Sequence, residues 1–218
     1  MKSKIHTIYK TKNNVKVPGV TTIVGLLDKS GALMHWAWEC GKKGVDYRKF
    51  ADDKADVGVL AHDMILCHLS KTKPILDDYT KNQIDAAENS FLSYLEWEKG
   101  KDIEPILLET QLVHDELMYG GTFDFYGYID GVPTLMDFKT GKAIYSPEME
   151  IQLSAYNALL GYVAPAKAWQ ILRIGRDETE GFEVRQYTSN QMETAWAIFK
   201  NLLQVYYLKK NLKNDSAP

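Results

Sequence analysis

Cysteine is scarce: Cys40 and Cys67 are the only two in 218 residues. Two thiols exclude a disulfide-stapled framework and a four-thiolate metal centre, and they fit a reducing compartment. No uninterrupted apolar run approaches the roughly 20 residues that a membrane helix needs. The opening segment, MKSKIHTIYK, has lysines with no apolar stretch behind them, so it does not read as a secretory leader. The expected address is the cytoplasm, with no membrane partner. No linker, internal repeat or low-complexity tract is visible, so residues 1–218 read as one domain. A basic excess is missing too: 26 Lys and Arg against 29 Asp and Glu leave a net charge of −3. That excludes a protein whose whole surface coats a polyanion. What remains is globular: 45% hydrophobic and 25% charged residues, close to the average soluble domain. A chain of this length can bury about 70% of its unfolded surface.

The charge is unevenly placed. Five lysines and no acid lie in the first 16 residues, and Lys200, Lys209, Lys210 and Lys213 sit on a late stretch without acids. From Asp77 to Glu116 there are eleven acids against three lysines. Ordinary solvated faces explain this, and so does a local basic track. The early chain reads as a short hairpin turning at Asn13-Asn14, then a helix starting at Thr21 or Thr22 after Pro18-Gly19. Helices follow over 31–50, 58–70 and 77–99, the last with Ile84, Ala87, Phe91, Tyr94 and Leu95 in one stripe. The period then changes. Strands are predicted over 106–113, 120–129 and 132–139, and a helix from Ser146-Pro147 to about residue 162. Two strands over 167–175 and 181–187 and a final helix over 189–210 complete a mixed α/β architecture, a central sheet flanked by helices.

The most informative stretch is GGTFDFYGYIDGVPTLMDFKTGK, residues 120–142. Asp130-Gly131 between alternating strands signals a two-residue type I′ turn. That turn sets Ile129 opposite Val132 and Asp124 opposite Asp137. Alternation then puts Asp124, Asp137 and Lys139 on one face with Tyr126 and Tyr128, and Phe123, Phe125, Ile129, Val132, Met136 and Phe138 on the core face. Opposed Cβ atoms lie roughly 4.5–5.5 Å apart, where like charges repel. Either one aspartate turns to solvent and the set is a surface ion pair with Lys139, or a hard cation joins the two acids. Oxygen ligands so spaced suit Mg²⁺ or Mn²⁺. A divalent ion beside a lysine suits phosphodiester hydrolysis: the ion polarises the phosphoryl oxygen, and the ammonium orients water or stabilises developing charge.

Taken together, Gly58-x-x-x-His62, Gly121-x-x-Asp124, Asp137-Phe138-Lys139 and Gln152-x-x-x-Tyr156 resemble the PD-(D/E)XK nuclease superfamily. The similarity is to the RecB-type and phage-exonuclease branch, which also takes in the mitochondrial genome maintenance exonuclease. VPGVTTIVGLLDKSGALMHW resembles the start of that branch, and the likeness spans about residues 17–160. It implies a restriction-endonuclease-like core over about 105–187, preceded by a helical part over about 20–100. It implies metal ligation by His62, Asp124, Asp137 and the Phe138 carbonyl, and catalysis by Lys139. Gln152 and Tyr156 would position the metal site or the DNA, and Glu109 would be an accessory acid. The cofactor implied is Mg²⁺ or Mn²⁺. With two cysteines no iron–sulfur cluster is expected, and Gly41-Lys42-Lys43-Gly44 lacks the spacing of a nucleotide-binding loop, so no nucleotide cofactor is expected.

The expected partner is DNA, single-stranded or with free ends, acted on by a monomer or small homo-oligomer. Trp36, Arg48 and Lys49 put aromatic and basic groups together, as single-strand binders do; the alternative is that the tryptophans are core. Thr21 and Thr22, at a helix start, suit a phosphate. An exonuclease of recombination, repair or degradation, of phage type, is the leading expectation. A structure-specific or restriction-type endonuclease and a catalytically silent binding module are the rivals.

Overall fold

The computed structural model describes residues 7–27, 30–161 and 163–215. The first lysines, Lys2 and Lys4, and the end of the tail lie outside them. A small hairpin, β1 (Tyr9–Lys10) and β2 (Lys16–Val17), turns at Asn14 in the left-handed region. The short α1 (Val20–Val24) follows. Three helices come next: α2 (Ser30–Lys42), α3 (Tyr47–Ser70) and α4 (Lys81–Glu98). Then come β3 (Ile103–His114), β4 (Tyr119–Ile129) and β5 (Val132–Thr140). Helix α5 (Glu148–Leu160) crosses to β6 (Ala168–Ile174), β7 (Phe182–Tyr187) pairs back, and α6 (Ser189–Asp215) ends the fold.

The five main strands form one sheet in the order β3-β4-β5-β6-β7, with β5 and β6 parallel and the other neighbours antiparallel. This is the mixed, helix-flanked sheet expected from the change of period. One face carries Tyr119, Tyr126, Leu135 and Ile171 against α1, α5 and α6. The other carries Phe125, Met136, Phe138 and Leu172 and is covered by α3 and α4. Each layer buries several large side chains, and every fully buried one is worth roughly 1.5–3 kcal/mol. Among the described residues no helix is long and apolar enough to cross a membrane.

Local chemistry moves several boundaries. The stretch 31–50 is two helices, because Gly44 adopts φ +66° and Asp46 then caps α3 through the Arg48 and Lys49 amides. Helix α1 starts one residue before Thr21, with Gly19 at its cap, and the Thr22 amide is already bonded to the Gly19 carbonyl. A reciprocal Thr80–Gln83 capping box delays α4 to Lys81. Ser146 does not cap α5; its hydroxyl donates to Glu150, and Pro147 takes the cap position.

Candidate active site

The hairpin register is the expected one: Ile129 faces Val132 and Phe125 faces Met136. Asp130 and Gly131 have φ +50° and +76°, as a type I′ turn requires. Past Phe125 the recorded pairing stops. The Phe138 amide instead donates to Asp124 Oδ2 at 2.7 Å, so a side chain has taken the place of the main-chain partner.

The expected faces hold only in part. Phe123 and Phe125 are two residues apart yet pack in opposite layers. Leu108 and Leu112 on β3 do the same. Between them Glu109 sits at φ +41°, so the pleat inverts locally on both strands. Such backbone costs about 1–3 kcal/mol and clusters at functional sites. Phe123 therefore joins the α5 side with Tyr126, whose hydroxyl donates to the Pro165 carbonyl, and Val132 is exposed rather than core.

The inversion lets both helical layers reach one spot. From α3, His62 Nδ1 stands 3.6 Å from Asp124 Oδ1, too far for a hydrogen bond. Its ring packs edge-on against Phe138. From α5, Gln152 Nε2 donates to Tyr156 Oη at 2.7 Å, and Tyr156 lies within electrostatic reach of Asp137. On β5, Asp137 is 2% exposed and forms an ion pair with Lys139. The pair is made through Asp137 Oδ2, which has no second hydrogen-bond partner among the described residues. Five expected residues thus meet, His62, Asp124, Asp137, Lys139 and Tyr156, and Gln152 is tied to them through Tyr156. Phe138 contributes its amide to Asp124. Glu109 is close enough to feel Asp124, Asp63 and His62.

The charges are mutually dependent. Burial pushes the Asp137 carboxyl up, Lys139 opposes, Asp124 adds to it, and the net is a rise to about 6. Burial would raise Asp124 as well, but His62, Lys139 and the Phe138 amide hold it below the ordinary carboxylate range. Burial would lower both cations. The carboxylates outweigh it and raise His62 and Lys139 alike. Glu109 is raised, by burial first and then by Asp124 and Asp63.

Two motif glycines have structural neighbours. A Cβ at Gly58 would come within 2.8 Å of Thr140 Oγ1, so glycine there seats α3 on β5. A Cβ at Gly121 would meet the Tyr156 ring at 2.7 Å, so that glycine leaves room for the α5 tyrosine. Beside the site opens a cleft of about 480 Å³, lined by Lys54, Gly58, His62, Lys139, Thr140 and Arg176 among others. Arg176 is held there by donating to the Thr140 carbonyl at 2.7 Å.

The remaining expected contacts do not converge on this point. Thr21, Thr22, Arg48 and Lys49 are exposed and are not among the cleft-lining residues. Arg48 is engaged with the Tyr47 hydroxyl at 3.2 Å, and Trp36 packs near Tyr47 and Phe50. The reading from sequence did not single out Lys54, Asp63 or Arg176, which no motif marks. It also left out Tyr9, whose hydroxyl shares a 3.0 Å hydrogen bond with Thr122 beside the aspartate strand.

Fold and site together define an α/β protein with a largely buried Asp–Asp–Lys cluster on the central strands, flanked by a histidine and a Gln–Tyr pair. No protein-family profile and no curated protein sequence matches the chain. Solved structures similar to it include a protein of Eubacterium rectale provisionally described as an exonuclease (12% identity, 68% of this chain and 67% of that one, TM-score 0.46). Another is an alkaline exonuclease of Laribacter hongkongensis (14% identity, 75% of this chain and 92% of that one, TM-score 0.36), also solved in complex with dAMP (15% identity, 76% and 93%, TM-score 0.35).

Proposed function

We propose that the protein is a divalent-metal-dependent nuclease that hydrolyses DNA phosphodiester bonds, acting as an exonuclease on single strands or free ends in recombination, repair or degradation. The observation that carries this reading is the juxtaposition of Asp124, Asp137 and Lys139 with His62 on one side and Gln152–Tyr156 on the other. A buried Asp137 beside the half-buried Asp124 costs stability unless a cation joins them.

The donor set suits a hard divalent ion. Among the described residues no three His, Cys, Asp or Glu side chains already converge into a metal cage. The ammonium of Lys139 lies against Asp137, as a cation's stand-in would. Asp137 Oδ2, now paired with Lys139, and Asp124 Oδ1, which His62 faces at 3.6 Å, are the carboxylate oxygens an ion would take up. His62, Asp124, Asp137 and the Phe138 carbonyl would hold Mg²⁺ or Mn²⁺, which would polarise the phosphoryl oxygen and acidify a bound water. The chain's own residues do the rest. The Phe138 amide fixes the Asp124 carboxylate, and Asp137 draws the Lys139 ammonium to the site. Lys139, kept protonated, stabilises charge on phosphorus and orients the attacking water. Gln152, steadied by Tyr156, reaches the same space from α5.

The direct test uses end-labelled single- and double-stranded DNA, linear and circular, with Mg²⁺, Mn²⁺ or EDTA. Release of mononucleotides or short products from linear DNA, lost in EDTA, is expected. Cleavage of closed circles would replace exonuclease with endonuclease, and no cleavage with either ion would reject the reading.

Two further outcomes are expected. His62→Ala should lower the rate at limiting metal far more than His68→Ala. His68 instead bonds Glu98 at 2.7 Å, tying α3 to α4, so its loss should reach the melting temperature and not the rate. Equal rates for the two variants would make His62 an ordinary helix residue. Gln152→Ala should cost at least about tenfold in rate, or ~1.4 kcal/mol of barrier, with little change in melting temperature. Tyr156→Phe should be milder, because its ring still packs beneath Gly121. An unchanged rate in Gln152→Ala would leave the pair without a role in the reaction.

A further inference from the structure

Helix α2 and the first half of α3 expose an unusual amount of apolar surface. Leu33, Met34, Trp38, Tyr47, Phe50 and Val59 all stand out to solvent, Trp38 at 57%. The aromatic members are interleaved with cations. Lys42 lies 4.2 Å from the Trp38 ring centre, and Lys54 5.3 Å from that of Phe50. Patches of this kind mark interaction sites rather than idle surface.

The α3 end of the patch, at Phe50 and Val59, runs into the cleft, with Trp38 further out on α2. Ala51, Lys54, Ala55, Gly58 and His62 recur at helical spacing and form the cleft's α3 wall, and Lys139, Thr140 and Arg176 lie opposite. The cleft lining holds Lys54, Lys139 and Arg176 and no carboxylate. Of the acids on this part of α3, Asp53 and Asp56 accept from Gln83 on α4, and Asp46 caps the helix. From Tyr47 to His62 the helix runs about 22 Å at 1.5 Å per residue. One end of this wall therefore offers aromatic faces, the middle offers phosphate-binding cations, and the far end is the Asp–Asp–Lys site.

We propose that this aromatic and basic wall is the path along which a single-stranded polynucleotide enters the active site. Lys54 and Arg176 hold its phosphates, and Phe50 and Trp38 receive its unstacked bases. The inference rests on the nuclease reading for what happens at the end of the path. A duplex does not fit the chemistry, because its bases are already stacked and cannot lie on exposed rings. Stacking of this kind is sequence-tolerant, because every base presents an aromatic face.

The test is binding without cleavage: intact protein in EDTA, a fluorescein-labelled oligodeoxythymidine of about 20 nucleotides, and a duplex of the same length. The wild type is expected to bind the single strand at least about tenfold more tightly than the duplex. Trp38→Ala and Phe50→Ala should each weaken single-strand binding at least about fivefold. Lys54→Ala should weaken it and lower the slope of log affinity against log salt by about one. Lys99→Ala, at the far end of α4, should bind as the wild type does. Trp38 is exposed, so its variant keeps the test valid if Phe50→Ala misfolds. Wild-type affinity in both Trp38→Ala and Lys54→Ala overturns the proposal, and so does equal or tighter binding of duplex. A Trp38-dependent dimer seen by sedimentation, with no oligonucleotide binding, overturns it in favour of self-association. Tight, Trp38-dependent binding by a protein that cleaves nothing with Mg²⁺ or Mn²⁺ would uphold the path and reject the nuclease. Cleavage with normal binding in the variants would do the reverse.

Discussion

Asp137→Asn is expected to abolish DNA cleavage, by at least about a thousandfold or ~4 kcal/mol of barrier, while making the metal-free protein more stable. Few substitutions move activity and stability so far in opposite directions. The carboxylate is buried at 2% exposure, with Asp124 nearby and Lys139 paired to its Oδ2. Folding raises its pKa from 3.8 to about 6. Below about pH 4 the acid is protonated in folded and unfolded chains alike and costs nothing. As pH rises from about 4 to 6, the unfolded chain ionises first, so the folded state loses stability over that window. Above it the loss is complete, on the order of 3 kcal/mol. Asparagine carries no charge and escapes this loss. In EDTA, thermal melts should therefore show Asp137→Asn gaining several degrees over the wild type at pH 7–8. The gain should shrink through pH 6 and vanish near pH 4. A melting temperature lower than the wild type's at pH 8 would mean that Asp137 is a structural anchor, and retained cleavage would remove it from the site.

The hairpin was legible because its information is local. Asp130-Gly131 admits one tight turn, the turn sets the register, and the register brings Asp124 and Asp137 to the same level of the sheet. The pleat inversion was not legible. It depends on Glu109 accepting a left-handed backbone and on a carboxylate replacing a main-chain acceptor at Phe138, and neither follows from a pattern of apolar and polar residues. That inversion explains why Asp124 meets a helix on one face of the sheet and Asp137 a helix on the other. The glycines illustrate the same limit. Gly58 and Gly121 stand out as motif positions, but their neighbours Thr140 and Tyr156 come from distant segments that only the folded chain brings near. Arg176 reaches the cleft from the β6–β7 connection, where nothing in the sequence marks it. Trp36 and Trp38, two residues apart on one helix, divide between helix packing and solvent because α2 leans on α3 along one side only.

Lys139→Met should produce the second large effect, and its stability signature should be opposite to that of Asp137→Asn. The Lys139 ammonium pairs with Asp137 and feels Asp124. Burial favours its neutral form, but the two carboxylates win and raise its pKa. At neutral pH it is therefore an ammonium, able to donate hydrogen bonds and unable to act as a general base. Removing it should slow cleavage at least about a hundredfold, or ~2.7 kcal/mol, with oligonucleotide binding largely kept because Lys54 and Arg176 remain. Methionine retains most of the side-chain volume, so packing changes little. The charge balance changes a great deal: Asp137 and Asp124 lose their shared counter-charge. The metal-free variant should then melt below the wild type at pH 8 and recover as pH falls, beginning at a higher pH than in the wild type, because Asp137 without Lys139 holds its proton more tightly. Adding Mg²⁺ or Mn²⁺ should restore more stability to Lys139→Met than to the wild type, since the ion no longer has to displace an ammonium. Near-normal cleavage in Lys139→Met would show that the lysine only neutralises the pair. A rate that rises with pH in the wild type through an alkaline titration, and loses that rise in Lys139→Met, would instead make it the base and overturn the assignment.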